Sequence, residues 1–225
     1  MKKSARIAGF IFIALSLIDV IPLCFGFESV HPCVKPFLIL SLLAAALLAL
    51  LPEHKGRQTV LLAVGMAFHA AGDILLMFDS KGFIWFAAGL GAFLLGHFCY
   101  LSVLMHKMGA LHGWKEILCT VVPPILAFPV VSFFDAEGPL RIVLGVYALT
   151  LMDIAASGVL WRLRGRKLGW RVLAGGLFFI ASDALLALNA FNGITFPLRH
   201  AAVMGTYLLA EWLLVSAMVR QRLSD

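Results

Sequence analysis

From Ala5 to Val219 the chain is a series of apolar runs, each long enough to cross a bilayer and separated from the next by a few polar or turn residues. A spanning helix needs about 20 mostly apolar residues. Lipid offers no hydrogen bonds to an open backbone, so runs of this kind have to be helical. Eight fit: 5–25, 34–51, 58–78, 82–104, 115–134, 139–161, 170–191 and 197–219. The connectors, among them "PEHKGR", "DSKG", "DAEGP" and "RLRGRKLG", are charged or rich in turn residues. Only 13% of the 225 residues are charged and 62% are hydrophobic, whereas soluble domains carry about 25% charged residues. The pattern predicts an all-α, polytopic membrane bundle of eight transmembrane helices, with residues 1–225 forming one integral membrane domain. No stretch is left over for a soluble domain. The first run lacks a small-residue cleavage site after its apolar core, so it reads as a transmembrane helix and not as a removable leader.

The net charge of +6 does not point to nucleic acid, because it sits in short loops where it orients helices and meets anionic lipid. With eight spans, one face receives Lys2, Lys3, Arg6, Lys55, Arg57, Lys107, Lys115, Arg162, Arg164, Arg166, Lys167, Arg171, Arg220 and Arg222, while the other receives Lys35, Lys81, Arg141 and Arg199. The positive-inside rule places both termini in the cytoplasm. Compact size and short termini suit a bacterial inner membrane. The four cysteines have no metal-ligand spacing. Cys24 and Cys33 read as free thiols more readily than as a disulfide, and Cys99 and Cys119 as buried small residues. The pattern sets no oligomeric state.

Inside the runs stand five acids: Asp19, Asp73, Asp153, Asp183 and Glu211. An ionised Asp at the centre of a membrane helix costs roughly 2.5–3.5 kcal/mol on the insertion scale. Two of the five share a context. "AAGDILLM" holds Asp73 and "IASDALLAL" holds Asp183, 110 positions apart. His97 follows Asp73 by 24 residues, and Tyr207 follows Asp183 by the same interval. This spacing suggests two parallel four-helix repeats, 1–113 and 114–225, with a site at their junction near the midplane. Chance is the competing explanation, since Leu-Leu after Asp is common in so apolar a chain.

For any single acid an interhelical hydrogen bond accounts for its presence as well as a function does. Asp153 has Thr150 and Ser157 near its face, and Asp19 has Ser16. Two matched acids alter that balance. Carboxyl groups sharing a poorly solvated pocket tend to hold one proton between them, which suits one to give a proton and the other to accept one. Around them, His97 and Tyr100 share a face of the fourth run, Tyr207 and Glu211 share a face of the eighth, and Ser182 precedes Asp183. There is no G-x-S-x-G elbow and no HExxH run. His69, Asp73 and His97 form a candidate metal set, although lone histidines in bundles more often make hydrogen bonds; no metal or other cofactor is expected.

These motifs resemble the YhhN family of membrane proteins, which includes lysoplasmalogenases. The resemblance runs over most of the chain and rests on "KPFLILSLLAA", "AAGDILLM", "GLGAFLLGHFCYL", "GGLFFIASDALLAL" and "GTYLLAEWLLVSAM", in that order. The family usually has Gln after Ala in the last of these, where this chain has Glu211. The resemblance implies a membrane hydrolase that cleaves the vinyl ether of lysoplasmalogens, with a lysophospholipid as substrate and membrane lipid around it. The family's catalytic acids match Asp73 and Asp183. Under that reading His97, Tyr100, Ser182 and Tyr207 are candidates for orienting groups or proton shuttles. Lys35 is a candidate for the substrate phosphate or a snorkelling cation, and Arg199 and His200 are weaker phosphate candidates. Paired membrane acids also serve proton-coupled carriers of lipids or small molecules, and a metal-dependent lipid amidase or esterase is a third class.

The asymmetry of basic residues gives a direct test. Single cysteines placed near either terminus of a cysteine-free variant react with a membrane-impermeant maleimide only after the cells are opened. Labelling in intact cells would reverse the orientation.

Overall fold

Eight helices form where the apolar runs lie: α1 (Lys3–Cys24), α2 (His31–Leu50), α3 (Arg57–Leu76), α4 (Phe83–Leu104), α5 (Trp114–Phe133), α6 (Gly138–Leu163), α7 (Gly169–Asn192) and α8 (Arg199–Ser224). The structure is a computed structural model and describes residues 3–106, 108–136 and 138–224. Lys2 and Lys107 of the basic set, and Glu137 of the "DAEGP" connector, lie outside the described residues. All eight helices are long and apolar enough to span a membrane, as the run pattern predicts. Their ends differ from the apolar boundaries by a few residues, because lipid sets the apolar limit and backbone geometry sets the helical one. Thus α8 continues past the apolar limit at 219 through Arg220 and Arg222. Likewise α2 begins at His31, ahead of the apolar start at 34, with Pro32 in the first turn, where no N–H is needed.

The burial pattern is that of a membrane protein. Large apolar side chains face outward, with Phe10, Ile84, Phe128 and Ile142 each at least 70% exposed. Polar groups face inward: Asp19, His69, His97 and Glu211 are completely buried. All four cysteines are free thiols; Cys24 and Cys33 are exposed. Cys99 and Cys119 were expected inside but are only half-buried, a small sulfur side chain being equally at home against lipid.

The chain divides into two compact units, residues 1–103 with 218–225, and residues 104–217. In the first, α2 packs between α1 and α3; in the second, α6 packs between α5 and α7. The α6–α7 contact is made by small residues that bring two backbones together. A methyl group on Gly176 would lie 2.6 Å from the Ala155 Cα, and one on Gly158 would run into the backbone of Leu173. At the start of the second unit, Arg164 holds the segment before α5. Its Nε and Nη2 donate to the two oxygens of Glu116 at 3.0 and 2.8 Å, and Nη2 donates to the Ala110 carbonyl at 2.7 Å. Glu116 also accepts the His112 backbone N–H at 2.7 Å, and Trp161 Nε1 donates to the Leu104 carbonyl at 2.8 Å.

Two glycines of α6 should therefore respond with opposite sign. Gly158→Ala forces α6 and α7 apart and costs about 1–3 kcal/mol, the usual penalty of overpacking. Gly145, with open space where its Cβ would be, gains up to about 1 kcal/mol on substitution by Ala through helix propensity. Thermal unfolding of the two variants in detergent distinguishes them: Gly158→Ala melts lower than the parent, and Gly145→Ala does not.

Candidate active site

Asp73 sits near the C-terminal end of α3 and is buried. Its Oδ1 lies 3.9 Å from Nζ of Lys35, which α2 brings alongside with only 11% of its side chain exposed. Lys35 thus supplies the opposite charge that a carboxylate in a membrane span requires. One turn before Asp73 on α3 is His69. Its ring meets His97 and Tyr100 of α4 edge-on, with centroids 4.7 and 4.6 Å away, and Phe93 stands 5.4 Å off. His97 and Tyr100 thus do share a face, and that face is turned to the helix that carries Asp73. Gly96 makes this approach feasible, since any Cβ there would overlap the His69 ring. Among the described residues no three His, Cys, Asp or Glu side chains are gathered as a metal-binding set. His69 and His97 belong instead to an aromatic cluster.

In the second unit Asp183 sits on α7 and accepts a hydrogen bond at 2.6 Å from the hydroxyl of Tyr147 on α6. Ser182 turns its hydroxyl to the Val203 carbonyl of α8 at 3.1 Å, so it ties α7 to α8. Tyr207 packs edge-on against Phe179, with centroids 5.6 Å apart, and Glu211, one turn further on α8, is fully buried. Asp153 is half-buried on α6. Thr150 and Ser157, expected near it, donate instead to the carbonyls of Val146 and Ile154 in their own helix. Arg199 and His200 bond each other at 2.9 Å at the start of α8.

The offset of 110 positions recurs in these contacts, each taken within its own unit. His69 against His97 in the first corresponds to Phe179 against Tyr207 in the second. Gly72, which a side chain would drive into the Phe93 ring, corresponds to Ser182 bonded at Val203. Each Asp is also met by a polar side chain from the second helix of its unit, Lys35 or Tyr147.

Sequence reasoning missed two of the partners. Tyr147 carried a signal, being one of only three tyrosines in the chain and the one left unassigned. His31 carried none, since it stands in a connector by hydropathy and becomes the first residue of α2 only in the fold. Its Nδ1 lies 2.8 Å from Asp19 Oδ1. Ser16, expected beside Asp19, bonds the Phe12 carbonyl instead.

Eight helices long and apolar enough to span a membrane, with large apolar side chains outward and Asp19, His69, His97 and Glu211 buried, define a polytopic integral membrane protein. The chain belongs to the YhhN family, whose model matches residues 30–218. It is similar to the lysoplasmalogenase TMEM86A of Homo sapiens, 31% identical over 197 residues that make up 84% of this chain and 77% of the relative. The lysoplasmalogenase TMEM86A of Bos taurus is 28% identical over the same shares. No solved structure matches the chain.

The Tyr147–Asp183 bond predicts a coupled stability effect. Tyr147→Phe removes the donor and leaves a part-buried acceptor, at a cost of about 1–3 kcal/mol. In an Asp183→Ala background the same change costs little, because the acceptor is already gone. Denaturation of the four proteins in mixed micelles, treated as a double-mutant cycle, checks the coupling.

Proposed function

We propose that this protein is a lysoplasmalogenase that hydrolyses the vinyl ether of a lysolipid, with Asp73 and Asp183 as its catalytic carboxyl groups. The observation that carries the reading is the matched setting of the two acids in a chain related to lysoplasmalogenases. Each is on the third helix of its unit, and each is met by one polar side chain from the second helix. The same correspondence favours the halves 1–113 and 114–225 as repeats of one four-helix plan.

The chemistry suits two carboxyl groups. A neutral carboxylic acid delivers a proton to the β-carbon of the vinyl ether, and the positive charge spreads onto the α-carbon and the ether oxygen. A carboxylate beside that oxocarbenium ion stabilises it and takes a proton from the attacking water, as in glycosidases with a similar transition state. The hemiacetal so formed collapses to a fatty aldehyde and a glycerophospho-alcohol. One water is consumed: the carboxylate takes its proton and hands it to the leaving alcohol oxygen as the hemiacetal collapses, and the hemiacetal hydroxyl returns a proton to the acid. We assign Asp73, with the Lys35 ammonium as its counter-charge, to the carboxylate role. Asp183, met at Oδ2 by the neutral hydroxyl of Tyr147, takes the acid role. His97 and Tyr100, in the unit of Asp73, and Tyr207, in the unit of Asp183, take the role of orienting residues, and Ser182 and Glu211 support α7 and α8. The apolar helices around the acids suit a single acyl-type chain.

Asp73→Asn and Asp183→Asn keep volume and some hydrogen bonding but cannot exchange the proton. Each should lower turnover of a defined lysoplasmalogen by about 10²–10⁴-fold, the usual worth of general acid–base assistance. Asp153→Asn should change it little. Aldehyde release by purified protein in detergent, with folding checked by thermal melting, is the measurement. A requirement for a membrane gradient would favour a carrier, and near-normal turnover in either key variant would reject the paired-acid mechanism.

A further inference from the structure

Asp19 and His31 stand outside this chemistry. Asp19 is completely buried on α1, with Oδ1 2.8 Å from Nδ1 of His31 on α2. Its other oxygen, Oδ2, is also buried and has no hydrogen-bond partner among the described residues. A carboxylate used only as a staple looks different in this protein. Glu116 has both oxygens filled, by Arg164 twice and by the His112 N–H. The His31 ring, by contrast with Asp19, retains 16% exposure, so the pair has a sealed acidic end and an open imidazole end.

The proton arrangement tells what that open end offers. With two protons on the pair, one lies between Asp19 and Nδ1, and the other must sit on Nε2, whichever partner owns the first. Nε2–H is then a donor held in direction by the buried carboxylate, as carboxylates hold imidazoles in other sites. One turn along α2 from His31 is Lys35. Its Nζ is 3.9 Å from Asp73, beyond hydrogen-bond length, and an ammonium has three donors to place. Two donors, each backed by a carboxylate from a flanking helix, thus stand about 5–6 Å apart at Cβ. That arrangement matches an anion with several oxygens. In a lysoplasmalogen the phosphate lies on the third glycerol carbon and the vinyl ether on the first, a separation on the order of one helical turn.

We propose that Asp19 and His31 form the phosphate-recognition element for the lysolipid, resting on the lysolipid reading above. His31 Nε2–H donates to a phosphate oxygen, Asp19 orients the ring, and Lys35 lies between the phosphate and Asp73. Asp19 precedes the family-matched residues 30–218, so half of this element lies outside the matched region.

The test measures binding, without cleavage, on the full-length protein in detergent. Isothermal titration compares three probes: an uncleavable saturated-ether lysophosphatidylethanolamine, the matching alkylglycerol without phosphate, and inorganic phosphate. The parent protein should bind the phospholipid more tightly than the alkylglycerol by about tenfold or more, the worth of one charge-assisted hydrogen bond. His31→Ala should cut that preference by about tenfold while leaving alkylglycerol binding unchanged. Asp19→Asn should reduce it in part, and His31→Lys should restore some of it. A parent without the preference, a His31→Ala protein that keeps it, or equal loss of both lipids in that variant would each overturn the proposal. Inorganic phosphate binding as tightly as the lipid would make this a free-anion site and overturn the headgroup assignment. A protein that shows the His31-dependent preference yet releases no aldehyde from a lysoplasmalogen would leave this element standing and refute the reaction.

Discussion

A carboxylate inside a membrane has no water to answer it, and the rest of this structure is arranged around that constraint. Three intramembrane aspartates are met by side chains from an adjacent helix: Asp19 by His31, Asp73 by Lys35 and Asp183 by Tyr147. In each case the partner comes from the helix that packs in the middle of its unit, α2 or α6. Such pairs are poor evidence for stability, since desolvation offsets most of the attraction. They do fix which helices are neighbours and in what register, because a slip of one residue would turn the acid away from its partner and leave it unanswered.

The close approach of helices is the second condition. Lipid is as apolar as leucine, so no hydrophobic force draws one membrane helix to another, and contact has to come from packing. Glycine supplies it at Gly158 and Gly176 between α6 and α7, and at Gly96, where the absent side chain makes room for His69. At that last position packing and chemistry meet. The ring stands one turn from Asp73 and is boxed by His97, Tyr100 and Phe93, which fixes its orientation without any metal ligand set.

The surroundings of Asp73 and Asp183 differ. Asp73 has an ammonium beside it and a histidine pair nearby, whereas Asp183 has a phenol beside it and a Phe–Tyr pair at the positions that correspond to the histidines. The proposed two-carboxyl reaction calls for acids in unlike settings, one acting as charge and the other as proton donor.

Hydropathy by itself determined that the chain is eight helices in a membrane, because the length and polarity of a spanning segment are properties of consecutive residues. Repetition of a short motif was also local enough to pick out Asp73 and Asp183, and the 24-residue interval pointed to His97 and Tyr207. The partners of the acids were decided only by the fold. His31 and Asp19 are twelve positions apart, Lys35 and Asp73 thirty-eight, and Tyr147 and Asp183 thirty-six, and which side chain meets an acid depends on how neighbouring helices are rotated about their axes. That rotation is set by small-residue contacts such as those of Gly158 and Gly96. No window of sequence reports it, because in so apolar a chain every face of a helix looks equally ready for lipid.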